Sequence, residues 1–360
     1  MGGGVAEERL HRRHVVALLP GLFGIGCTSI GPAALDRDQL GYTNALAEAG
    51  KRQTLLNIVR LRYADPPSFV AISQVISGYT LQATGQAGLN AYPSASASNF
   101  ANIFGQLQYI DRPTFTLSPV TGEQFAQSYV RPFAPAEVLP LSQAGVPIDV
   151  LLRLAAQSIG PLQNTQPLNP VRQGGSPDFF RLLQVLRYIQ ENSGLSIRLL
   201  RERERHRIFL SLDDAHDRSL RPAIAEAYRL LRLDAASREV EVVYGRAQSH
   251  TREVAVLTRS LLLVYTAVAA EMEVPEEDVR ANRTIPTLLP EGQRRAVIVI
   301  HAGPSAPDGA YATVRVGGIS YWIEQGDFAS KAAFTILELL KVLAEGSRGT
   351  TTPVLTIPAG

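Results

Sequence analysis

Ser211 to Asp217 (SLDDAHD) is the stretch of this chain in which potential metal ligands are most crowded. It brings Asp213, Asp214, His216 and Asp217 close together. Carboxylate oxygens could bind a hard cation, and an imidazole could bind a transition metal. Such a cluster is more often a solvated turn in which an aspartate caps the following helix. We therefore expect a turn here, with a metal site as the alternative.

A second candidate is the pair Ser330-Lys331, which suggests a serine nucleophile activated by a lysine. Neighbouring residues on a helix point about 100° apart and do not face each other, so a cap-side serine and a surface lysine are expected instead. The chain contains no GxSxG and no HExxH motif. The sequence therefore predicts no catalytic residues, no cofactor and no metal, and a protein that is not an enzyme.

The run RERERHR alternates positive and negative charge from Arg201 to Arg207. In a single strand it would place all four arginines on one face and the two glutamates on the other. Such a face could bind anionic lipid or polysaccharide, whereas a salt-bridged surface facing solvent is the commoner arrangement.

The N-terminus carries the most specific pattern. A basic stretch at 9–14 precedes an apolar stretch at 15–25, and Gly26 then leads to Cys27, the only cysteine. This order is typical of a secretory signal peptide, and the apolar stretch falls short of the roughly 20 residues that span a bilayer. It predicts a signal peptide at 1–26 and lipid attachment, including palmitate, at Cys27. A buried structural cysteine is the alternative.

Composition excludes several classes of protein. The 360 residues include 35 Lys and Arg and 33 Asp and Glu, so the net charge is +2, and 45% are hydrophobic. A nearly neutral chain lacks the basic surface that nucleic acid requires, so no nucleic-acid partner is expected. One cysteine cannot form an internal disulfide, and the apolar content is that of a folded protein.

Periodicity predicts an α+β protein with a lipidated tether at 27–35, a helix and hairpin domain at 36–160, a linker at 161–177 and an α+β domain at 178–360. Helices are expected at 36–62 and 122–159, and strands at 68–84 and 103–118. The first stretch fits two adjoining helices or one helix with a break at Gly50. In the last domain, helices are expected at 178–193 and 219–232, and antiparallel strands precede a closing helix at 327–345. A two-residue turn at Gly317-Gly318 is expected to join two of these strands. The apolar run 253–272 is expected to be a buried core helix.

The two long strands suggest a β-hairpin around the polar loop near residue 95. Counted at a period of two, Val70, Ile72 and Ile76 share a face with Gln74 and Gln82, which is not the uniformly apolar face that lipid requires. Packing on the protein's own domain, or pairing with a partner's sheet edge, is therefore the expected use of the hairpin.

Several strings together resemble a widespread family of uncharacterised proteobacterial outer-membrane lipoproteins. They include RDQLGYTNALAEAGKRQTLLNIVRLRYADPPSF at 37–69, FTLSPVTGEQFAQSYVRP at 115–132 and SYWIEQGDFASKAAFTILELL at 320–340. The family commonly has an Asp-Arg-Asp stretch where this chain has Glu324 to Asp327. The resemblance to bacterial lipoproteins also implies that Thr28, which is not Asp, directs the protein to the outer membrane. It implies no activity.

These patterns together predict a lipid-anchored outer-membrane lipoprotein whose body faces the periplasm and acts as a structural or assembly scaffold of a cell-envelope complex. Its expected partners are the outer membrane, through the lipid, and envelope proteins or further copies of itself. One alternative is a subunit of an oligomeric ring or pore for secretion or polymer export, lined by the hairpin 68–118. Another is an envelope hydrolase that acts on glycan or peptide through a pair of carboxylates. The distance between two such carboxylates cannot be read from their spacing in the sequence.

Overall fold

A computed structural model describes residues 30–76, 79–90, 100–111, 114–167, 174–202, 205–214, 217–234, 236–237, 239–290 and 292–346. They divide between Gly50 and Lys51 into two units. Helix α1, Ile30–Arg62, begins in the first unit and ends in the second. Sequence reasoning allowed a break at Gly50, but the helix is continuous and ends before Asp65, as expected.

The second unit confirms the predicted α+β class. Its helices are α2 (Gly122–Phe125), α3 (Pro135–Val138), α4 (Ile148–Ala155), α5 (Pro177–Glu191), α6 (Arg221–Leu231), α7 (Leu261–Glu271), α8 (Glu276–Arg280) and α9 (Phe328–Gly346). Its strands are β1 (Val70–Ile76), β2 (Tyr79–Asn90), β3 (Phe100–Asp111), β4 (Thr114–Pro119), β5 (Ala156–Ile159), β6 (Leu162–Gln163), β7 (Leu195–Glu202), β8 (Arg205–Leu212), β9 (Glu239–Tyr244), β10 (Glu253–Thr258), β11 (His301–Gly303), β12 (Ala312–Val316) and β13 (Ile319–Ile323). None of the described helices is both long and apolar enough to cross a membrane.

The predicted long hairpin is present as two antiparallel ladders. β1 pairs with β4, and β2 pairs with β3 over twelve residues in each strand. The pair Ile76 and Thr114 closes the first ladder, and the pair Tyr79 and Asp111 opens the second. Ile76 and Tyr79 are three residues apart, and so are Asp111 and Thr114. The two ladders therefore keep one pairing register.

A β-bulge in β1 changes which residues share a face. Ile72 pairs with Leu117, whereas Gln74 pairs with the adjacent residue Thr116, so Ser73 is the extra residue. Opposite residues of an antiparallel ladder share a face and successive residues alternate, so Ile72 and Gln74 lie on opposite faces. The expectation that they share one was wrong, because a bulge shifts the alternation by one residue.

A six-stranded mixed sheet has the order β6-β5-β10-β9-β8-β7. β5 and β6 precede or enter the predicted linker at 161–177, and the other four strands follow it. The predicted domain boundary therefore does not separate two sheets. Helices α5 and α6 contribute to the core on this sheet through residues such as Phe179, Leu186 and Tyr228.

A second core lies around the three-stranded sheet β11-β13-β12. It includes the end of α1, helix α7 and helix α9, with Leu55, Tyr265 and Phe334 fully buried. Helix α4 belongs to both cores, because Leu151 and Leu154 pack in this one while Ile148 and Leu152 pack in the first. The hairpin turn of β12 and β13 is Gly317-Gly318, as predicted, and both glycines have a positive φ.

Two expected helices proved to be composite. The run 253–272 forms strand β10 and then helix α7, separated by the buried Arg259. Its length and apolarity fit a core helix equally well, and pairing with β5 and β9 decides in favour of the strand. The stretch 122–159 contains three short helices, with a π turn and a 3-10 turn, and ends as strand β5.

Candidate functional site

The root of the hairpin is the part where residues 68–70 enter it and Val120 leaves it. Asn57 fixes this root to the end of α1. This fully buried amide donates from Nδ2 to the carbonyl of Ser68 and accepts at Oδ1 from the Ser68 amide, both at 2.9 Å. Gln53 donates to the carbonyl of Val70 at 3.3 Å. The first residues before and in β1 are therefore held by side chains of a core helix.

Aromatic packing closes the same root. Phe69 is buried, and its ring stacks on that of Tyr129 with centroids 3.7 Å apart. Phe125 and Tyr265 flank it at centroid distances of 5.9 and 6.2 Å. The Val120 amide donates to the Phe69 carbonyl at 2.9 Å, which ties the outgoing strand to the incoming one. Both arms of the hairpin thus leave the body from within its core.

The distal part of the hairpin has open edges. Among the described strands, β2 and β3 pair only with each other, and no other described helix or strand packs extensively against either. Each strand therefore presents one row of backbone amides and carbonyls to a further strand. Unpaired edges of this length are the surfaces that proteins use for strand addition.

The hairpin also lacks the charges that usually protect such edges. No Asp, Glu, Lys, Arg or His occurs between Asp65 and Asp111, although 19% of the whole chain is charged. Natural edge strands are commonly blunted by lysine, inward charges or proline. A long uncharged edge is an aggregation hazard unless something covers it. This segment is therefore the leading candidate for an interaction surface.

A cleft of about 290 Å³ is the main alternative site. It lies between α4, α5 and the start of α9, and Asp149, Arg153, Phe180 and Arg295 are among the residues that line it. Arg153 donates to Glu271 at 2.8 Å, and Arg295 forms an ion pair with Asp327. Two cations of the cleft are thus already paired with carboxylates of the same chain.

Glu271 is the carboxylate that most resembles a catalytic acid, because its pKa is raised. Burial raises its pKa, and Arg153 and a hydrogen bond from the Val297 amide oppose that rise. Its Oε2 accepts both bonds, at 2.8 and 2.7 Å. Glu271 is not among the residues that line the cleft, and its side chain is only 5% exposed. Its contacts are those of a structural ion pair that joins α7 to α4.

The two residues of the Ser330-Lys331 pair have different environments. Ser330 is fully buried, and its Oγ accepts from the Val299 amide at 2.8 Å and from Arg295 at 2.9 Å. Lys331 is partly exposed, with Nζ 5.9 Å from the ring centroid of Tyr311. The helix is capped by Asp327, whose Oδ1 accepts from the Ser330 amide, so the serine is a buried hydrogen-bonding residue rather than the cap.

The acidic stretch at 211–217 is divided by its contacts. Asp217 caps the following turn by accepting from the Ser219 amide at 2.8 Å, which is the expected role of an aspartate at this place. Asp214 forms an ion pair with Arg221, and Asp213 is exposed. His216 lies outside the described residues. Within the described part of the chain, no three metal-binding side chains come together.

The alternating run does not form one strand. β7 ends at Glu202 and β8 begins at Arg205, with Arg201 opposite His206 in the pairing. The single arginine face that one strand would give is therefore not formed, because the run crosses from one strand to the next. Arg207 instead makes a bidentate pair with Glu241 at 2.9 and 2.7 Å, as in the salt-bridged alternative.

Sequence reasoning identified the hairpin but not its root. Asn57 and Phe69 carried no recognisable signal, because an asparagine in an amphipathic helix and an isolated aromatic before a strand are both common. The predicted lipid-attachment residue, Cys27, lies outside the described residues. Comparison of the chain with protein-family models, curated proteins and solved structures found no match. The resemblance to outer-membrane lipoproteins accordingly stays a prediction.

Proposed function

We propose that this chain is a lipid-anchored assembly protein of the bacterial cell envelope. Acylation at Cys27 would anchor it in the outer membrane, with its body in the periplasm. Its working surface would be the hairpin, which joins copies of the chain, or the chain and an envelope partner, through added strands. The protein would act by holding a complex together rather than by turnover.

The observation that carries this proposal is the uncharged hairpin with open edges on a rigid root. Pairing of β2 or β3 with a further strand would satisfy the row of backbone groups that each strand presents. Asn57, Phe69 and Val120 fix the root to the core, so both arms of the hairpin are attached to the buried part of the body. A loop used only to cover the body would not need this fixation.

The ring or pore alternative is favoured by one specific feature. Both arms of the hairpin keep a single register across the two ladders, and both outer edges of β2 and β3 are open among the described strands. A subunit with two complementary edges can add a neighbour on each side. Repetition of that contact by rotation closes a ring.

The test is the native mass of the mature full-length protein, extracted from membranes in mild detergent, compared with a shortened variant. The variant replaces residues 85–105 by Asn-Gly, because Thr84 and Gln106 lie opposite each other and a two-residue turn can join them. We expect the full-length protein in a closed oligomer or a defined complex, and the variant as a folded monomer.

Thermal unfolding of the two proteins is the control, since an equal midpoint shows that shortening leaves the body intact. A full-length protein that is extracted as a monomer without a partner would contradict the proposal. So would a shortened variant that retains the full native mass.

A further inference from the structure

We infer that the hairpin enters a lipid bilayer, with one face of β2 and β3 against acyl chains and the other toward water. The inference rests on the proposed function and extends it, because it names lipid as the material that covers one face of the hairpin. It follows from which residues the pairing register places on each face.

The pairing sorts apolar and polar residues to opposite faces. Opposite residues share a face, and alternate positions in each strand share it too. One face, the apolar face, contains Leu81, Ala83, Gly85, Ala87 and Leu89 from β2 with Ala101, Ile103, Gly105, Leu107 and Tyr109 from β3. All ten are apolar or aromatic, and the pair Tyr79 and Asp111 completes this face where it meets the body.

The opposite, polar face is rich in amide and hydroxyl side chains. It contains Thr80, Gln82, Thr84, Gln86, Gly88 and Asn90 from β2 with Phe100, Asn102, Phe104, Gln106, Gln108 and Ile110 from β3. A hairpin packed on its own body, with its other face in solvent, would normally carry charged residues outside. Here the polar face carries none, and neither do residues 91–99 between the strands. Because no charged residue occurs between Asp65 and Asp111, no charged side chain of β2 or β3 before Asp111 would have to enter a hydrocarbon layer.

The bulge at Ser73 extends the same division into the first ladder. Val70 and Ile72 pair with Pro119 and Leu117, whereas Gln74 pairs with Thr116. Continued through the common register, this pairing puts Val70, Ile72, Val75 and Phe115 on the side of the apolar face. The bulge thus separates Val70 and Ile72 from Gln74. A strict alternation would have placed all three residues on one face.

The dimensions and the ends of the apolar face also fit a bilayer. β2 and β3 have twelve residues each, and a strand crosses the hydrocarbon core in about nine to eleven. The apolar face runs over nine positions of β2, from Leu81 to Leu89. At its body end stand Tyr79 and Tyr109, next to Asp111, the first charged residue. Aromatic residues are enriched where a membrane strand meets the interface.

A second protein surface could also cover an apolar face, and the test separates the two occupants. The full chain carrying Cys27→Ser has no thiol, so one added cysteine can bear a single environment-sensitive dye. Matched pairs from β2 are Ala83→Cys with Gln82→Cys, and Ala87→Cys with Gln86→Cys. Each is reconstituted from detergent into phosphatidylethanolamine and phosphatidylglycerol vesicles with a nitroxide on the acyl chain.

We expect dyes at residues 83 and 87 to lose most of their emission to the acyl-chain nitroxide, and dyes at 82 and 86 to keep theirs. Equal quenching at all four positions, or none, would overturn the inference. Absence of quenching in a protein that still forms the oligomer would mean that protein covers the face. The assembly proposal would then stand without this inference. Alternating quenching in a monomer would support the inference and contradict the assembly proposal.

A charge substitution provides a second readout. Ala87→Arg puts a cation on the apolar face, and Thr84→Arg puts the same cation on the polar face three pairs away. We expect vesicle flotation of the Cys27→Ser chain to be lost with Ala87→Arg and kept with Thr84→Arg. Equal flotation of the two variants would count against a lipid contact.

Discussion

The start of α9 depends on one carboxylate, Asp327. Its oxygens accept from Arg295 and from the Ser330 amide, and Arg295 also donates to the Ser330 hydroxyl. Partial burial disfavours the charged form, but the hydrogen bonds from Arg295 and Ser330 outweigh it and lower the pKa of Asp327 to about 2. A group of three side chains thus fixes the first turn of the closing helix against the segment at 295–299, which precedes β11.

Asp327→Asn tests the contribution of that charge. Asparagine also caps helices well, so the substitution removes the charge more than the cap. The folded pKa of Asp327 lies below the unfolded value of about 4, so its contribution is complete above about pH 4 and disappears as the pH falls toward 2. Because Arg295 is 46% exposed, we expect a loss of only about 1 kcal/mol at neutral pH.

The measurement is the free energy of unfolding by denaturant between pH 7 and pH 3 for both proteins. The difference in the free energy of unfolding between the two proteins should become smaller toward pH 3. Asp308→Asn, which changes an exposed carboxylate without an ion pair among the described residues, is the control and should show no such difference. A gap between wild type and Asp327→Asn that stays constant with pH would exclude a charge effect.

At the scale of the elements, the end of α4 is bonded by a residue from outside the helix. Arg259, between β10 and α7, donates to the carbonyls of Arg153 and Leu154 at 2.9 and 3.0 Å and to that of Thr165 at 2.6 Å. The first two are at the end of α4, where a cation complements the helix dipole. Burial lowers the pKa of Arg259 to about 10, so the guanidinium remains charged at neutral pH.

Arg259→Met should be strongly destabilising. Methionine fills much of the volume but donates no hydrogen bond, in a site where Arg259 is 2% exposed. The carbonyls of Leu154 and Thr165 lose the bond from Arg259, whereas that of Arg153 keeps a bond from Asn164. We expect a loss of about 3 kcal/mol or more in the free energy of unfolding. Arg294→Met, at an exposed arginine, is the control and should change stability little. Similar losses in the two variants would show that the buried contacts contribute little.

Local patterns predicted the elements whose residues repeat regularly. Helices α5 and α9 and the hairpin of β12 and β13 were found close to their observed bounds. The bulge at Ser73 was missed, because one inserted residue leaves composition unchanged and alters only the pairing. β10 was missed because an apolar run fits a buried strand as well as a buried helix. The hairpin was predicted from its β-branched and aromatic residues, but the separation of its faces required the register.

In the whole molecule, the described body from Lys51 onward has two cores that share α4. Leu151 and Ile148 lie on the same short helix and pack in different cores. The predicted boundary at 161–177 rested on glycine, proline and amide residues, yet Asn164 and Thr165 are buried and bonded there. Composition alone could not show this, because polar residues that bond to backbone groups resemble a solvated linker.

The proposed lipid anchoring concerns the full chain and is tested at Cys27. Cys27→Ser removes the only thiol, so we expect acylation to be lost and the protein to be freed from the acyl anchor, with about 0.8 kcal/mol lost per buried CH₂. Incorporation of labelled palmitate and fractionation of the membranes measure the two effects. Thr28→Asp is the matched variant, which should keep the lipid but leave the protein in the inner membrane.

Labelled palmitate in the Cys27→Ser protein would contradict this assignment. The shortened hairpin variant separates the two modes of membrane attachment. A Cys27→Ser protein that stays on membranes only while its hairpin is intact would be held by the hairpin.

The root formed by Asn57, Phe69 and Tyr129 has a thermodynamic consequence for assembly. A recognition arm on a floppy stalk loses conformational entropy at its base each time it binds, whereas this base is already ordered in the isolated chain. That part of the ordering cost is met once, during folding, and is not repeated at each contact. The angle between neighbouring copies would then be set by the folded body. The number of copies in a closed ring would follow from the shape of that body rather than from the length of its strands.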